Sequence, residues 1–179
     1  KEGYGDVTLG FRKVWRLINK MWAKGIKYPV WGTCLGLELV LMMITEDTKV
    51  LSTLNSRNHT AEVWANYDES VIFRDMPTQI RLNIENKKLL NFFHRHGISM
   101  NRFLYNEKYE KLRKELKLIG ASKDKDGAWF CSFLEGTRNP IFISQFHPEK
   151  QAYEWNPTAV INHHYEAIEA SQYFANQFV

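Results

Sequence analysis

An α/β domain with a parallel sheet is the fold class that the sequence predicts, and three observations carry that expectation. Tyr28 to Trp31 is a short apolar run bounded by Gly32 and followed by the apolar helical stretch Leu35 to Ile44, the order strand, tight turn, buried helix. Phe11, Val14, Trp15, Ile18, Met21 and Trp22 recur at three- and four-residue steps, with Arg12, Lys13, Arg16, Asn19 and Lys20 between them, as in an amphipathic helix. The 179 residues, 44% hydrophobic and 25% charged, have the composition of one folded domain. A chain of this size buries roughly 70% of its unfolded surface, so a single domain over 1–179 is expected without a disulfide or metal staple.

Taken in order, the first helix is read around Phe11 to Trp22, capped by Asp6 or Thr8, with Gly25 in the left-handed position past its end. After the strand and helix just described, Lys49 to Leu54, Ala61 to Ala65 and Ser70 to Phe73 carry weak strand signals, and Asn83 to Phe93 reads as a short helix. Tyr105, Tyr109, Leu112, Leu116 and Ile119 fall at helical steps, and Glu107 to Lys111 and Glu110 to Lys114 add ion pairs one turn apart. Beyond the turn signal Asp126-Gly127, Ala128 to Leu134 and Pro140 to Phe146 form a predicted hairpin. Ala159 to Phe178 closes the chain as a helix, and there is no internal repeat.

Lys plus Arg number 24 and Asp plus Glu 20, a net charge of +4. Basic and acidic residues interleave, as in Glu107 to Glu115, and no zinc-finger, RNP-type or basic-zipper pattern accompanies them, so no nucleic-acid partner is expected. The apolar run Leu35 to Ile44 is broken by Gly36 and Glu38 and reaches about half the ~20 residues of a membrane span, so no membrane insertion is expected. The start of the chain has neither a basic segment leading into an apolar one nor an Arg- and Ser-rich amphipathic character, so no targeting peptide is visible. The two cysteines, Cys34 and Cys131, lack the paired spacing of a zinc site, and Cys131 lies in an apolar strand and reads as core.

Trp31-Gly32-Thr33-Cys34-Leu35-Gly36 is a G-x-C-x-G sequence between a predicted strand and a predicted helix, the setting of a nucleophile elbow. There the glycines let neighbouring backbone approach, the helix start favours the thiolate, and the N–H of Leu35 can donate to an oxyanion. The same pattern fits a small buried cysteine in a tight turn, so a proton-transfer partner is required. Of the six histidines, His147 has the fitting position, at the end of the apolar strand Ile141 to Phe146 and before Pro148, with Glu149 placed to brace its ring. The pairs His94 with His96 and His163 with His164 match no metal-ligand motif and read as solvated surface.

Tyr28-Pro-Val-Trp-Gly-Thr-Cys34-Leu-Gly-Leu-Glu38 and Gln145-Phe-His147-Pro-Glu149-Lys150, followed by Ala152-Tyr153-Glu154-Trp155, resemble the γ-glutamyl hydrolases of the class I glutamine amidotransferase-like superfamily. The resemblance implies an α/β/α sandwich with a mostly parallel central sheet. It implies hydrolysis of γ-linked peptide bonds in poly-γ-glutamate tails of folates through a thioester, without metal or cofactor. Cys34 would match the nucleophile, His147 the general base and acid, and Glu149 its supporting carboxylate. Asn91-Phe92-Phe93-His94-Arg95 is similar to the family's loop in which a second histidine approaches the bound glutamate, implying substrate contact by His94. A lysosomal, vacuolar or secreted location goes with the family, where Asn58-His59-Thr60 would be a glycosylation sequon. Glu135-Gly136 matches a structural turn.

Two departures from the family stand out. The family has several strands and a Gly-Gly turn, which supplies a second oxyanion donor, ahead of the region matched by Lys1. The expectation is that an N-terminal segment or a partner chain completes the sheet beside Val30, in an oligomer or larger complex. Leu37 stands where the family commonly has an aromatic. Two alternatives remain open at this point: a non-catalytic structural subunit of a larger assembly, and a glutaminase domain feeding a synthase. The Tyr153-Glu154-Trp155 stretch fits the hydrolase better than the latter.

Overall fold

The computed structural model describes residues 5–179. Its elements are α1 (Gly5–Ala23), β1 (Val30–Thr33), α2 (Leu35–Thr45), β2 (Ser52–Ala61), β3 (Trp64–Ala65), α3 (Thr78–Asn86), β4 (Leu90–Gly97), α4 (Met100–Tyr105), a 3₁₀ turn at Glu107–Tyr109, α5 (Glu110–Glu115), β5 (Leu116–Lys123), β6 (Trp129–Gly136), β7 (Ile141–Ser144), α6 (Lys150–Tyr153) and α7 (Tyr165–Phe178). The main sheet has five strands in the order β1-β7-β6-β5-β3, and β2 with β4 forms a separate antiparallel ribbon. Helices flank the sheet. Ile18, Trp22, Leu37, Leu41, Leu112, Leu134 and Ile141 join α1, α2 and α5 to one face, while Phe73, Ile84, Phe92, Phe133, Phe146 and Phe174 join α3 and α7 to the other. Strand β6 feeds both layers, through Cys131 and Leu134 on one side and Phe130 and Phe133 on the other. Cys131 is thus core, as its apolar strand indicated.

The α/β architecture is as expected, but the sheet is mixed rather than mostly parallel. Only β1 and β7 run parallel among the described pairings, while β7 with β6, β6 with β5 and β5 with β3 are antiparallel. The connections explain this: short turns around Asp124 to Gly127 and Thr137 to Pro140 join β5, β6 and β7, and parallel neighbours would need long crossovers.

Several boundaries also move. Helix α1 is already under way at Asp6 and Thr8, so neither is an outside cap, whereas Gly25 takes φ 80° as expected past the helix end. The residues 1–4 that open the chain lie outside the described residues. Ser70 to Phe73 is a turn and no strand, because the buried Glu135 carboxylate accepts from the N–H groups of Val71 (2.9 Å) and Ile72 (3.1 Å) and replaces a strand neighbour. Asn83 to Phe93 divides between α3 and β4. The helix read through Ile119 stops at Glu115, and Leu116 and Ile119 belong to β5. Lys114 does pair with Glu110 (2.8 Å), but Lys111 turns to Glu46 (3.6 Å). Helix α7 begins only at Tyr165, since the preceding loop is tied back to Asn58 through the N–H of Val160 (2.6 Å). Among the described residues no helix is long and apolar enough to cross a membrane.

Candidate active site

Strand β1 ends where α2 begins, and Cys34 occupies the junction with φ 52° and ψ −100°. A left-handed φ at a non-glycine residue stores strain that the surroundings must hold. They do so from two sides: the Cys34 N–H donates to the Ser144 carbonyl of β7 at 2.7 Å, and α2 starts with the Glu38 N–H donating to the Cys34 carbonyl at 3.1 Å. Gly32 makes the turn sterically possible, because a Cβ there would lie 2.9 Å from the Gly36 carbonyl carbon and 3.1 Å from Ile143 Cγ2. Gly36 itself has open space around it, so only the first glycine of the G-x-C-x-G pattern answers a close approach.

The sulfur is half-buried, and its ionisation runs opposite to the expected acidification by the helix start. Burial, followed by the Glu38 carboxylate one helical turn away, pushes the thiol up to about 11, with Glu149 adding to the effect. The Leu35 N–H, which donates to the sulfur, and Gln145 act in the other direction and are outweighed. The Gln145 amide is fully buried and lies near enough to favour the thiolate, although neither of its polar atoms completes a hydrogen bond among the described residues. Its place depends on Gly97 of β4, where a Cβ would come within 2.7 Å of Gln145 Oε1.

Thr33 pairs with Ser144 across β1 and β7, so the residues following each leave the sheet at the same carboxyl end, where open α/β sheets place their ligands. Cys34 is the next residue on one strand, and Gln145, Phe146 and His147 continue the other. The His147 backbone is anchored by its N–H to the Asn91 carbonyl (3.0 Å), and its ring meets Phe93 edge-on at 5.7 Å. Its Nδ1 lies 2.6 Å from Glu149 Oε1, and since a carboxylate only accepts, Nδ1 carries the proton and donates. The other nitrogen, Nε2, is buried and has no hydrogen-bond partner among the described residues. At Glu149 burial pushes the pKa up, but the hydrogen bond and charge of His147, with help from Lys150, outweigh it and hold the carboxyl below its usual range. A cavity of about 350 Å³ lined by Trp31, Thr33, Pro148, Glu149, Tyr153 and Phe178 adjoins this pair.

His94 is not on a loop. It lies within β4, 3% exposed, with Phe92 at 5.7 Å and Phe130 at 5.0 Å and, among the described residues, no hydrogen-bond partner for either ring nitrogen. Burial, then the neighbouring His147, lower its pKa to about 3, so the ring is neutral. His163 is not a free surface residue either: its ring stacks on Trp155 at 3.8 Å and Nδ1 bonds the Gln151 carbonyl at 2.8 Å. Among the described residues no group of three or more His, Cys, Asp or Glu could hold a metal ion. Glu38, Gln145 and Gly97 are the residues to which the sequence reading gave no role of their own. Glu38 was findable, since it follows Cys34 by four positions on a helix. Asn58, at φ 52°, donates through Nδ2 to Thr158 O (3.3 Å), so the sequon nitrogen already holds the loop ahead of α7.

A cysteine in a strained strand-to-helix turn, with a histidine and glutamate in the segment that follows the adjoining parallel strand, defines the class, and the chain belongs to the class-I glutamine amidotransferase family, which matches residues 3–167. The curated relatives it resembles are γ-glutamyl hydrolases. γ-Glutamyl hydrolase B of Dictyostelium discoideum is 33% identical over 168 residues, which cover 93% of this chain and 48% of that protein. γ-Glutamyl hydrolase of Homo sapiens is 32% identical over 161 residues (87% and 48%), and that of Rattus norvegicus 31% over 156 (87% and 48%). The chain spans about half the length of these relatives.

Proposed function

We propose that this chain carries the catalytic centre of a cysteine hydrolase that cleaves γ-glutamyl peptide bonds of poly-γ-glutamate substrates through a thioester. The observation that carries the reading is the His147–Glu149 pair, which follows β7 at the same end of the sheet as the strained Cys34 and leaves Nε2 without a hydrogen-bond partner among the described residues. The names of the relatives supply the bond type.

With the thiol up at about 11, the resting sulfur is protonated at neutral pH. Substrate binding therefore accompanies transfer of the thiol proton to His147 Nε2, and Glu149 stabilises the imidazolium that results. The thiolate adds to the γ-carbonyl carbon, and the Leu35 N–H, which already donates to the sulfur, is placed to follow the charge onto the carbonyl oxygen. Collapse breaks the C–N bond as His147 gives its proton to the departing amine. Water then gives a proton to His147 and adds to the thioester, and the proton returns to sulfur as the γ-carboxylic acid leaves. In this reading His94, neutral and 3% exposed between Phe92 and Phe130, is assigned a packing role rather than substrate contact. A lysosomal, vacuolar or secreted setting belongs to the same reading.

The test is hydrolysis of a γ-glutamyl dipeptide by the full-length protein, its Cys34→Ser variant and its His147→Asn variant. Each substitution is expected to lower kcat by at least about 10³-fold. Turnover that survives both substitutions overturns the assignment, and an inert wild type with a normal fold returns the chain to a structural-subunit role.

A further inference from the structure

A second cleft, of about 800 Å³, opens between the β2–β4 ribbon and the turn joining β5 to β6. Arg57, Arg95 and Lys125 all line it, and among the described residues none of the three has a carboxylate within ion-pair distance. The two acids in the cleft are turned to other work. Asp124 accepts from the N–H groups of Asn55 (3.0 Å), Asp126 (3.0 Å) and Ala128 (2.8 Å), and Asp126 accepts from the Asn55 side-chain amide (3.0 Å). Their lone pairs close the turn, whereas the three cations are left facing solvent. Lys125 is itself oriented, its Nζ donating to the Arg57 carbonyl at 2.7 Å.

The cleft is linked to the candidate catalytic pair by one strand. In β4 alternate side chains share a face, so Arg95 projects on the side of Phe93, whose ring lies against His147, while His94 projects into the core. Two residues along a strand is about 7 Å, so the guanidinium stem starts one such step beyond the Phe93–His147 contact. The substrate class of the proposed reaction has matching chemistry, since every unit of a γ-linked glutamate tail keeps a free α-carboxylate. Resting on that reading, we propose that Arg57, Arg95 and Lys125 form a subsite for the carboxylates of the distal poly-γ-glutamate tail, which makes the protein favour long tails over short ones. Arginine suits such a site because its planar fork pairs with a carboxylate through two hydrogen bonds.

Binding separates this proposal from its parent reading. Free oligo-γ-glutamates of two and of six units are titrated into the full-length Cys34→Ser protein by calorimetry, at low and at raised salt. The six-unit ligand is expected to bind about tenfold more tightly than the two-unit ligand, and the advantage is expected to vanish in the Arg57→Gln/Arg95→Gln/Lys125→Gln background and to shrink as salt rises. The charge-keeping Arg95→Lys variant retains at least part of it, which distinguishes loss of charge from loss of fold. Equal affinity for both lengths, or a length advantage that survives the triple substitution, overturns the subsite. Turnover of a γ-glutamyl dipeptide by the wild type is measured alongside, and its absence sinks the parent reading whatever the calorimetry shows.

Discussion

At the scale of single residues, the sulfur of Cys34 is governed by competition between burial with the Glu38 carboxylate and the donor at Leu35, and the former wins. Alkylation of the substrate-free protein by iodoacetamide should therefore be slow at pH 7 and climb with pH to a midpoint near 11; a midpoint below pH 8 would show a thiolate already stabilised at rest. Gly97→Ala places a methyl group within 2.7 Å of Gln145 Oε1, so it should displace the amide beside the sulfur and change that alkylation profile, with turnover falling about 10-fold. An unaltered profile would mean that Gln145 is indifferent to its space. Cys34, His147 and Glu149 were legible because each sits in a short local pattern, a strand-to-helix turn in one case and a strand end followed by proline in the other. Gln145 and Gly97 were not, since their relation exists only when β4 and the end of β7 are brought together. The thiol's raised pKa is not legible, because burial competes with the helix start and a sequence does not report burial at a turn.

At the scale of elements, the segment from Ser70 to Phe73 shows how a side chain can stand in for a strand. Glu135 sits 1% exposed in β6 and holds two backbone N–H groups and the Ser70 hydroxyl of that turn. Glu135→Ala should cost about 3 kcal/mol, read as a lower urea midpoint, because it strands these donors inside the protein; a loss below about 0.5 kcal/mol would show that water replaces the carboxylate. Gly32→Ala should cost about 1–3 kcal/mol by forcing β1 and the first turn of α2 apart, and circular dichroism with urea unfolding measures it. Helix α1, strand β1, helix α2 and the β6–β7 hairpin could be read from periodicity and turn residues. Strand β5 could not, because Leu112, Leu116 and Ile119 continue a helical spacing by coincidence while the chain ends α5 at Glu115 and pairs Leu116–Lys123 with β6. The proportion of parallel pairing was misread for a related reason: one strand-turn-helix unit was extended to strands that short turns in fact connect.

For the whole molecule, the neutral His94 links folding to pH. Its pKa falls from the usual 6.5 to about 3 on folding, so its contribution is complete above pH 6.5 and is lost as the pH drops toward 3, where the unfolded chain binds a proton that the folded one refuses. Urea midpoints of the wild type should fall between pH 7 and pH 4 by more than those of His94→Phe, and equal falls would place the acid sensitivity elsewhere. The fold's main consequence for the proposed function is that two neighbouring parallel strands, in a sheet whose other described pairings are antiparallel, bring Cys34 and His147, the proposed nucleophile and base, to one end. The most direct examination of that claim is acid-quench mass spectrometry of the full-length protein during turnover of a γ-glutamyl anilide. The peptide containing Cys34 is expected to gain the mass of the γ-glutamyl acyl group within the first turnover and to keep it longer when Glu149→Gln slows deacylation. Hydrolysis that proceeds with no acyl mass on Cys34, or with the label on another residue, contradicts the account.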